Sequence, residues 1–322
     1  MSSRLDVPLV VKVAKMYYIE GLKQEDIAKQ IGISRSLISM ILTEAKETGI
    51  VEITVRDPFL NNEQLSRRFA EFFPKTDFIV IPTSSRDPDA QRKLVAQRSA
   101  DILAKTLKGG ETLGLAWGRT SLELVQSLQT QEPAREVAVV PLIGGSHQTA
   151  PYFQINEMVR QLAERIGGTP SFIHAPALVS DRVERDMYLS SNSMRAIRLA
   201  WSSMDIVITG VGALPQRGGQ DRESYTGENE VSRQMATQDA IGDICAHYYD
   251  RSGKFLIDGY YERVVGIPIE NLKAAKTTLV MASGAEKAEA IVGALRTGLV
   301  SVLVMDESTA KATLVLLQAK GI

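Results

Sequence analysis

The spacing of apolar residues along the chain changes character near residue 57. From Leu9 to Gly49, apolar positions recur at helical spacing without strand-like alternation. From Asp77 onward, short β-rich apolar runs alternate with longer amphipathic stretches. A short extended run, IVEITV, is soon followed by Pro58, and proline disfavours helix at the residue before it. The pattern therefore predicts two domains, 1–57 and 58–322.

The second domain shows the alternation of strands and helices that is typical of a parallel sheet covered by helices. The predicted strands are 78–81, 112–116, 137–141, 205–209, 278–282 and 302–305. The predicted helices between them include 88–107, 120–128, 157–166 and 286–295. We expect an α/β protein in which an all-α N-terminal domain, residues 1–57 and called the head below, precedes a doubly wound, Rossmann-like domain. The long polar stretch 214–230 could form a lid over it.

Residues 24–42 have the pattern of a helix-turn-helix. In the first helix Ile27, Ala28 and Ile31 share one face, and Gly32 supplies the turn. The second helix carries one apolar stripe, made of Leu37, Ile38, Ile41, Leu42 and Ala45. A generic three-helix bundle would show the same stripe. The position of the motif at a terminus, ahead of an unrelated domain, favours a DNA-reading head.

The free face of the second helix carries short polar and cationic side chains at its N-terminal end. A recognition helix meets base edges and phosphates with that end, so the candidates for DNA contact are Ser34, Arg35, Ser36 and Ser39. Ser34 can also cap the helix. Further candidates for phosphate contacts, each equally compatible with solvated surface, are Lys23, Gln24 and Lys46.

Net charge limits what a single head can do. The whole chain has a formal charge of −1, and residues 1–56 contain eight basic and seven acidic side chains. DNA affinity that depends on phosphate contacts needs more positive charge than this. We therefore expect two or more heads to bind a paired site, which requires a homodimer or homotetramer.

Composition excludes several other classes of protein. Apolar residues make up 44% and charged residues 23% of the chain, which are ordinary values for a globular domain. The single cysteine, Cys245, rules out an intrachain disulfide framework and fits a reducing cytoplasm. The apolar run near the N-terminus is broken by Lys12 and is too short for a signal peptide or a membrane span.

The segment 15–53, KMYYIEGLKQEDIAKQIGISRSLISMILTEAKETGIVEI, resembles the N-terminal domain of the SorC family of bacterial sugar-responsive regulators. Five further segments resemble that family's effector domain in order and spacing, at 113–120, 140–145, 205–212, 241–245 and 283–310. The resemblance covers nearly the whole chain. It implies operator DNA as a partner and a phosphorylated sugar or polyol as effector. It also implies an effector domain related to glucosamine-6-phosphate deaminase and ribose-5-phosphate isomerase, in a dimer or tetramer.

Two segments that follow predicted strands could contact the effector, and the first of them also opens a predicted helix. In the first, backbone amides, two hydroxyls and a cation converge where an anion would be stabilised, on Gly118, Arg119, Thr120 and Ser121. In the second, glycines would let the backbone approach a ligand closely, on Gly144, Gly145, Ser146 and His147. The alternatives are an ordinary capped turn and a tight turn, and the family resemblance favours ligand binding at the first.

Four more candidates follow later strands. Gly210 and Gly212 end the strand DIVIT at the rim where ligands of open α/β sheets bind, although close packing would explain them too. Asp243 is placed at the start of a helical stretch, where it could accept hydrogen bonds from sugar hydroxyls or cap the helix. Lys287 resembles the family's ligand-contacting lysine. A lysine in a first helical turn opposes the helix dipole unless an anion is near, which favours a ligand role.

No metal site or cofactor is expected. His147, His174 and His247 are scattered, and Cys245 with His247 offers only two ligands, so structural roles are expected for His174 and His247. Related deaminase-like enzymes are expected to carry an acid and a histidine after the glycine-ended strand, whereas residues 210–215 read GVGALP. This favours a regulator over an isomerase or deaminase. A head that recruits a protein is disfavoured by its Ser/Arg-rich face.

Overall fold

The computed structural model describes residues 6–51, 61–129, 136–214, 239–257 and 259–319. The chain forms two compact units, Met1–Asp57 and Pro58–Ile322. In the described residues the helices are α1 Val7–Tyr18, α2 Gln24–Ile31, α3 Arg35–Glu47, α4 Glu63–Phe72, α5 Pro88–Thr106, α6 Arg119–Ser127, α7 Ile155–Ile166, α8 Arg182–Ser190, α9 Arg195–Ser202, α10 Ile269–Ala274, α11 Ala288–Arg296 and α12 Glu307–Ala319. The strands are β1 Asp77–Ile81, β2 Thr112–Leu115, β3 Ala138–Pro141, β4 Thr169–Pro170, β5 Ile206–Gly210, β6 Gly212–Ala213, β7 Gly242–Ile244, β8 His247–Tyr249, β9 Thr277–Ala282 and β10 Val302–Asp306.

The first unit is built from α1, α2 and α3 around one apolar core. Each helix buries one stripe, represented by Val13 on α1, Ile27 on α2 and Ile38 on α3. Gly32 ends α2 with a φ of 81°, and its amide donates to Ala28 O. Glycine adopts this left-handed conformation without steric cost, so the chain can turn directly into α3.

The second unit contains a seven-stranded parallel sheet in the order β1-β10-β9-β5-β2-β3-β4. From β2, the strands β3 and β4 follow in chain order towards one edge of the sheet, whereas β5, β9 and β10 follow in chain order towards the other edge. The order in which strands are added therefore reverses between β2 and β5, which are hydrogen-bonded neighbours. In open α/β sheets, ligands bind beyond the carboxyl ends of the strands at such a reversal.

Both faces of this sheet are buried, because alternate residues of each strand enter two separate cores. Leu113 and Leu115 of β2 face one core with α5, α6 and α7. Val207 of β5 and Val280 of β9 face the other core with α4, α9, α11 and α12. Trp201 on α9 is buried and donates its indole N–H to Pro141 O at 2.9 Å. The expected doubly wound α/β architecture is confirmed.

All six predicted strands are present, with ends displaced by at most one residue. The four predicted helices are also present, although the last begins as a 3-10 turn at Ala285–Lys287 before α11. The IVEITV run beyond residue 51 and the polar stretch from residue 215 to 230 lie outside the described residues. In the described part of the chain, none of the helices combines the length and apolar character needed to cross a bilayer.

One prediction is wrong: Asp243 does not start a helical stretch. It lies in β7, the middle strand of a small antiparallel sheet of order β6-β7-β8. Strands of two or three residues are too short to show alternation, and this segment is buried throughout, so its sequence carries no period that distinguishes strand from helix.

Candidate functional site

The N-terminal end of α3 exposes three of the residues predicted to contact DNA. Arg35, Ser36 and Ser39 are all exposed. Ser34 is exposed as well, but its hydroxyl accepts from the Leu37 amide at 3.2 Å and lies 2.9 Å from the Ser36 hydroxyl. Ser34 therefore caps α3, while Arg35 begins the first turn and is available to a groove.

The three predicted phosphate contacts do not form one cluster. Lys23 is the exposed N-cap residue of α2, and Gln24 is its half-buried first residue, so both lie at the N-terminal end of α2. Lys46 lies eleven residues beyond Arg35 in the last turn of α3, about 16 Å away along the helix axis. A phosphate contact at Lys46 would thus involve a different part of the DNA backbone.

Sequence reasoning missed two residues of the exposed face of α3. Met40 is 60% exposed, and Thr43 is also exposed one turn further along. Both follow Ser36 and Ser39 at spacings of three to four residues, so they share that face. The signal in the sequence was Met40, an apolar residue outside the buried stripe. The methyl group of Met40 is suited to contact a thymine methyl in the major groove.

In the second unit, a cavity of about 610 Å³ lies where the strand order reverses. Segments that follow β2 and β5 form much of its wall, together with the β7–β8 turn and the start of α11. It collects eight of the twelve predicted effector contacts, namely Gly118, Arg119, Thr120, Ser121, Gly210, Gly212, Asp243 and Lys287. Residues far apart in the sequence thus meet at the position that the topology favours for a ligand.

The N-terminus of α6 provides anion-binding chemistry in this cavity. Gly118 precedes α6 with a φ of 132°, which L side chains rarely adopt, and as the N-cap residue it has no side chain that could cap the helix. Ser121 is 1% exposed, and its hydroxyl oxygen makes no hydrogen bond within the described residues. An uncapped helix N-terminus beside an unsatisfied buried hydroxyl favours a ligand with negatively charged oxygens.

Asp243 and Lys287 form a second group on the cavity wall. The Asp243 carboxylate accepts from the Ala246 amide at 3.2 Å, and the Lys287 ammonium donates to Val211 O at 2.9 Å. Burial raises the pKa of Asp243 to about 6, against the lowering effects of the Ala246 hydrogen bond and the Lys287 charge. Gly212 lies directly opposite Asp243 in the sheet, where only a residue without a side chain leaves room for the carboxylate.

The turn that supports Asp243 is strained. Cys245 and Ala246 connect β7 to β8 as a two-residue hairpin turn with φ values of 51° and 61°. Such turns normally use glycine or asparagine, and each residue held there without them costs on the order of 1–3 kcal/mol. Both residues line the cavity. Backbone strain of this kind concentrates at binding sites, so the turn supports a functional reading of the cavity.

We expect the raised pKa of Asp243 to make the ligand-free protein less stable, relative to an Asp243→Asn variant, as the pH rises from about 4 to about 7. The folded state holds more protons than the unfolded state between the ordinary pKa of 3.8 and the folded value of about 6, so the free energy of unfolding falls across this window. The full effect would be roughly 3 kcal/mol. Thermal denaturation of both proteins at several pH values measures it. Parallel pH profiles would contradict the prediction.

The second predicted turn lies elsewhere. Gly145, Ser146 and His147 line a smaller cavity of about 310 Å³, which shares only Ala246 with the larger one. Gly144 lines neither cavity. A Cβ atom there would lie 2.6 Å from Pro176 O and 2.7 Å from Ala175 O. Close backbone packing therefore explains Gly144, which was the alternative left open by the sequence.

Sequence reasoning also missed a fixed cation on the larger cavity. Arg92 on α5 donates to Glu123 at 2.9 Å and to Asp89 at 2.8 Å. Burial opposes its charge, but the hydrogen bonds and charges of these two carboxylates raise the pKa of Arg92 above its ordinary value. Its only sequence signal was the Asp89–Arg92 spacing on a helix, which is common on solvated surfaces.

Aromatic side chains form the apolar part of the cavity wall. Trp117 and Phe153 meet edge to face at 5.9 Å, and the Arg119 guanidinium lies 5.3 Å from the centre of the Tyr152 ring. Tyr152 O accepts from the Gly118 amide, which attaches the Pro151–Phe153 turn to the start of α6. Apolar walls with a few placed polar groups are typical of small-molecule sites.

The histidines show no sign of metal binding in the part of the chain that the structure describes. No group of three or more His, Cys, Asp or Glu side chains there is arranged to hold an ion. His247 is buried, donates from Nε2 to Ile267 O at 2.7 Å, and has its pKa lowered by burial to about 4. His174 is exposed. Neither lines the two cavities described above.

Comparison with known proteins relates this architecture to a family. The family model described as "Putative sugar-binding domain" matches residues 57–315. The chain is 28% identical over 315 residues to the sorbitol operon regulator of Klebsiella pneumoniae, covering 98% of this chain and 100% of that protein. The crystal structure of that full-length regulator, SorC, has a TM-score of 0.75 and covers 97% of this chain and all of its own. The chain belongs to the SorC family.

Further relatives of this chain are also named as regulators. The deoxyribonucleoside regulator of Bacillus subtilis strain 168 is 26% identical over 304 residues, covering 94% of this chain and 96% of that protein. The regulator LsrR of Enterobacter sp. strain 638, named as a transcriptional regulator, is 28% identical over 311 residues, and the match covers 96% of this chain and 93% of that protein. The match therefore supports a sugar-binding transcriptional regulator as the general class of this protein.

Proposed function

We propose that this protein binds operator DNA of a carbohydrate or polyol catabolic operon and that a phosphorylated sugar in the larger cavity controls this binding. The observation that carries the effector part is the Ser121 hydroxyl at the N-terminus of α6, which is 1% exposed and has no hydrogen-bond partner among the described residues. A phosphate would satisfy this hydroxyl, and the positive end of the helix dipole at the start of α6 would favour its charge. The predicted effector contacts that line this cavity keep their roles within this proposal.

The rest of the cavity suits the sugar. Asp243 and Lys287 offer an acceptor and a donor for hydroxyl groups, and Trp117 and Tyr152 offer apolar surface to a carbon skeleton. Ser146 and His147 line a separate cavity, so we do not propose that they contact the ligand bound in the larger one.

DNA binding is proposed for the first unit through Arg35, Ser36 and Ser39, with phosphate contacts from Lys23, Gln24 and Lys46. The near balance of charge in residues 1–56 supports a mechanism in which two or more heads of a homodimer or homotetramer bind a paired site in the cytoplasm. Ligand control then requires that the sugar phosphate bind the DNA-competent and incompetent arrangements with different affinity.

A gel-shift experiment tests the proposal. The full-length protein is titrated onto duplex DNA from upstream of the neighbouring operon, without ligand and with pentose, hexose and hexitol phosphates, their unphosphorylated parents and inorganic phosphate. We expect one sugar phosphate to change the DNA affinity and to raise the melting temperature. At a ligand concentration one hundred times its Kd, the free energy of unfolding should increase by about 2.7 kcal/mol. Absence of any shift with operator DNA would contradict the proposal.

An isomerase or deaminase is the competing function, because Asp243 brings a carboxylate into the cavity although residues 210–215 contain none. No imidazole lines this cavity among the described residues, so a proton shuttle of that kind has no partner there. Incubating the stabilising sugar phosphate with the protein and following it by NMR separates the two. Turnover of the compound would favour the enzyme.

A further inference from the structure

An acidic side chain contacts the leading arginine of the recognition helix. Arg35 Nη1 lies 3.4 Å from Glu25 Oε1, and the two side chains are 67% and 65% exposed. An exposed ion pair of this kind contributes only about 0–1 kcal/mol to stability, because water screens both charges. The fold of the head therefore does not depend on this ion pair, and Glu25 can be changed without loss of the core.

The location of Glu25 makes the contact unexpected for a DNA-binding surface. Glu25 lies in the first turn of α2, and Arg35 is the first residue of α3. In helix-turn-helix proteins the first helix of the motif crosses the DNA backbone, while the start of the second meets base edges. A carboxylate at this position repels phosphates and offsets the charge of the cation at the start of α3.

The chemistry of arginine allows both contacts at once. A guanidinium carries five N–H donors, and the contact with Glu25 is made through Nη1. Donors remain for a bidentate contact to the O6 and N7 atoms of guanine, which is the commonest specific contact of arginine in the major groove. A phosphate, by contrast, competes with Glu25 for the same positive charge. Glu25 thus weakens the phosphate contact of Arg35, which carries no sequence information, more than its contact to a base.

We propose that Glu25 is a specificity-determining positioning residue that reserves Arg35 for a base and suppresses its binding to phosphate. This inference rests on the proposed DNA binding. The proposal fits the near balance of charge in residues 1–56, which contain eight basic and seven acidic residues. An acidic residue beside Arg35 lowers the non-specific affinity of the recognition surface for DNA. Removing the Glu25 carboxylate should therefore strengthen the non-specific binding of Arg35 to phosphates.

The test compares Glu25→Gln with Asp26→Asn in the full-length protein. Asp26 is the next residue of the same helical turn, is exposed and makes no ion pair within the described residues, so its variant carries the same charge change without touching Arg35. Each protein is titrated, over a range of salt concentrations, onto a duplex that the wild type selects from a randomised pool. A shuffled duplex of the same length and composition serves for non-specific binding. Melting temperatures check that the variants fold.

We expect Glu25→Gln to bind the shuffled duplex about threefold tighter or more at low salt, with the slope of log K against log salt steeper by about 0.9 per head. Binding to the selected duplex should gain less, so the specificity ratio falls. Asp26→Asn should change both duplexes by similar factors. In an Arg35→Ala background, Glu25→Gln should change binding to the shuffled duplex only as much as Asp26→Asn does, because the cation that it releases is gone.

Three results would overturn the proposal: equal behaviour of Glu25→Gln and Asp26→Asn, an unchanged specificity ratio, or an undiminished effect of Glu25→Gln without Arg35. A wild-type protein that selects no duplex would instead overturn the proposed DNA binding, so the two failures are distinguishable.

Discussion

Gly212→Ala should remove most of the stabilisation that the sugar phosphate gives to this protein. A Cβ atom at this position would overlap Asp243 Oδ1 and lie 2.9 Å from Asp243 Cγ, so the buried carboxylate must leave its place beside the Ala246 amide. Losing a buried hydrogen bond of this kind costs about 1–3 kcal/mol. If Asp243 also contacts the ligand, its displacement should lower ligand affinity by one to two orders of magnitude, on the order of 2 kcal/mol.

Gly210→Ala provides the matched comparison. It adds the same methyl group two residues earlier on the same strand-to-turn segment, where the nearest atom to the new Cβ would be Met281 O at 3.5 Å, an ordinary contact. We therefore expect a smaller loss. Thermal shift and calorimetric titration with the stabilising sugar phosphate measure both variants.

The two glycines also separate the proposed binding site from general packing. Should Gly212→Ala fail to fold, Asp243→Asn keeps the shape of the side chain and tests the role of its charge in ligand binding directly. Similar ligand affinity in the wild type, Gly212→Ala and Gly210→Ala would show that the position of Asp243 is irrelevant to the ligand.

Periodicity predicted the parallel sheet well because its strands are continuous β-rich runs separated by helical stretches. Val207 and Ile208 of β5, for example, are both buried although they point to opposite faces, as expected for a strand covered on both sides. The sequence also indicated which glycines follow strands. It could not distinguish Gly212, which leaves room for Asp243, from Gly144, which packs against backbone at Ala175 and Pro176.

The candidate site was only partly predictable because it depends on which strand ends are neighbours. The sequence placed Ser121 and Ser146 in equivalent turns after β2 and β3, yet they line different cavities. The reversal of strand order between β2 and β5 makes Ser121 a neighbour of the turn that follows Gly210. That order is a long-range property of the fold, and local patterns do not encode it.

Arg35→Ala and Lys287→Ala should have opposite effects on the two proposed activities. Arg35 is exposed on the head, so its loss leaves the cores intact but removes the proposed base contact, which would be worth about 1–3 kcal/mol for each head. Two heads on a paired site would lose about twice that, enough to abolish a visible gel shift. Ligand-induced thermal stabilisation should remain at the wild-type level.

Lys287→Ala should show the reverse pattern. Lys287 is half-buried, and its charge acts on the buried Asp243 carboxylate in the cavity, so removing it leaves a bound anion without that cation. We expect loss of ligand-induced stabilisation and a gel shift of wild-type strength without ligand. Because a ligand can change DNA binding only through its different affinities for the two arrangements, this variant should also no longer respond to the sugar phosphate.

Two lysine variants control for the loss of charge alone. Lys29→Ala removes an exposed cation from α2 of the same head, and Lys311→Ala removes one from α12, where Lys311 pairs with Glu307 and lines neither of the described cavities. Weakened DNA binding by Lys287→Ala in the absence of ligand, with Lys311→Ala unaffected, would contradict the division of roles, because the cavity would then contribute to DNA affinity without its effector. Equal losses in both assays, with a lowered melting temperature, would indicate misfolding. The crossed pattern, with both lysine controls close to wild type, would mean that the head determines which DNA is bound and the cavity determines when.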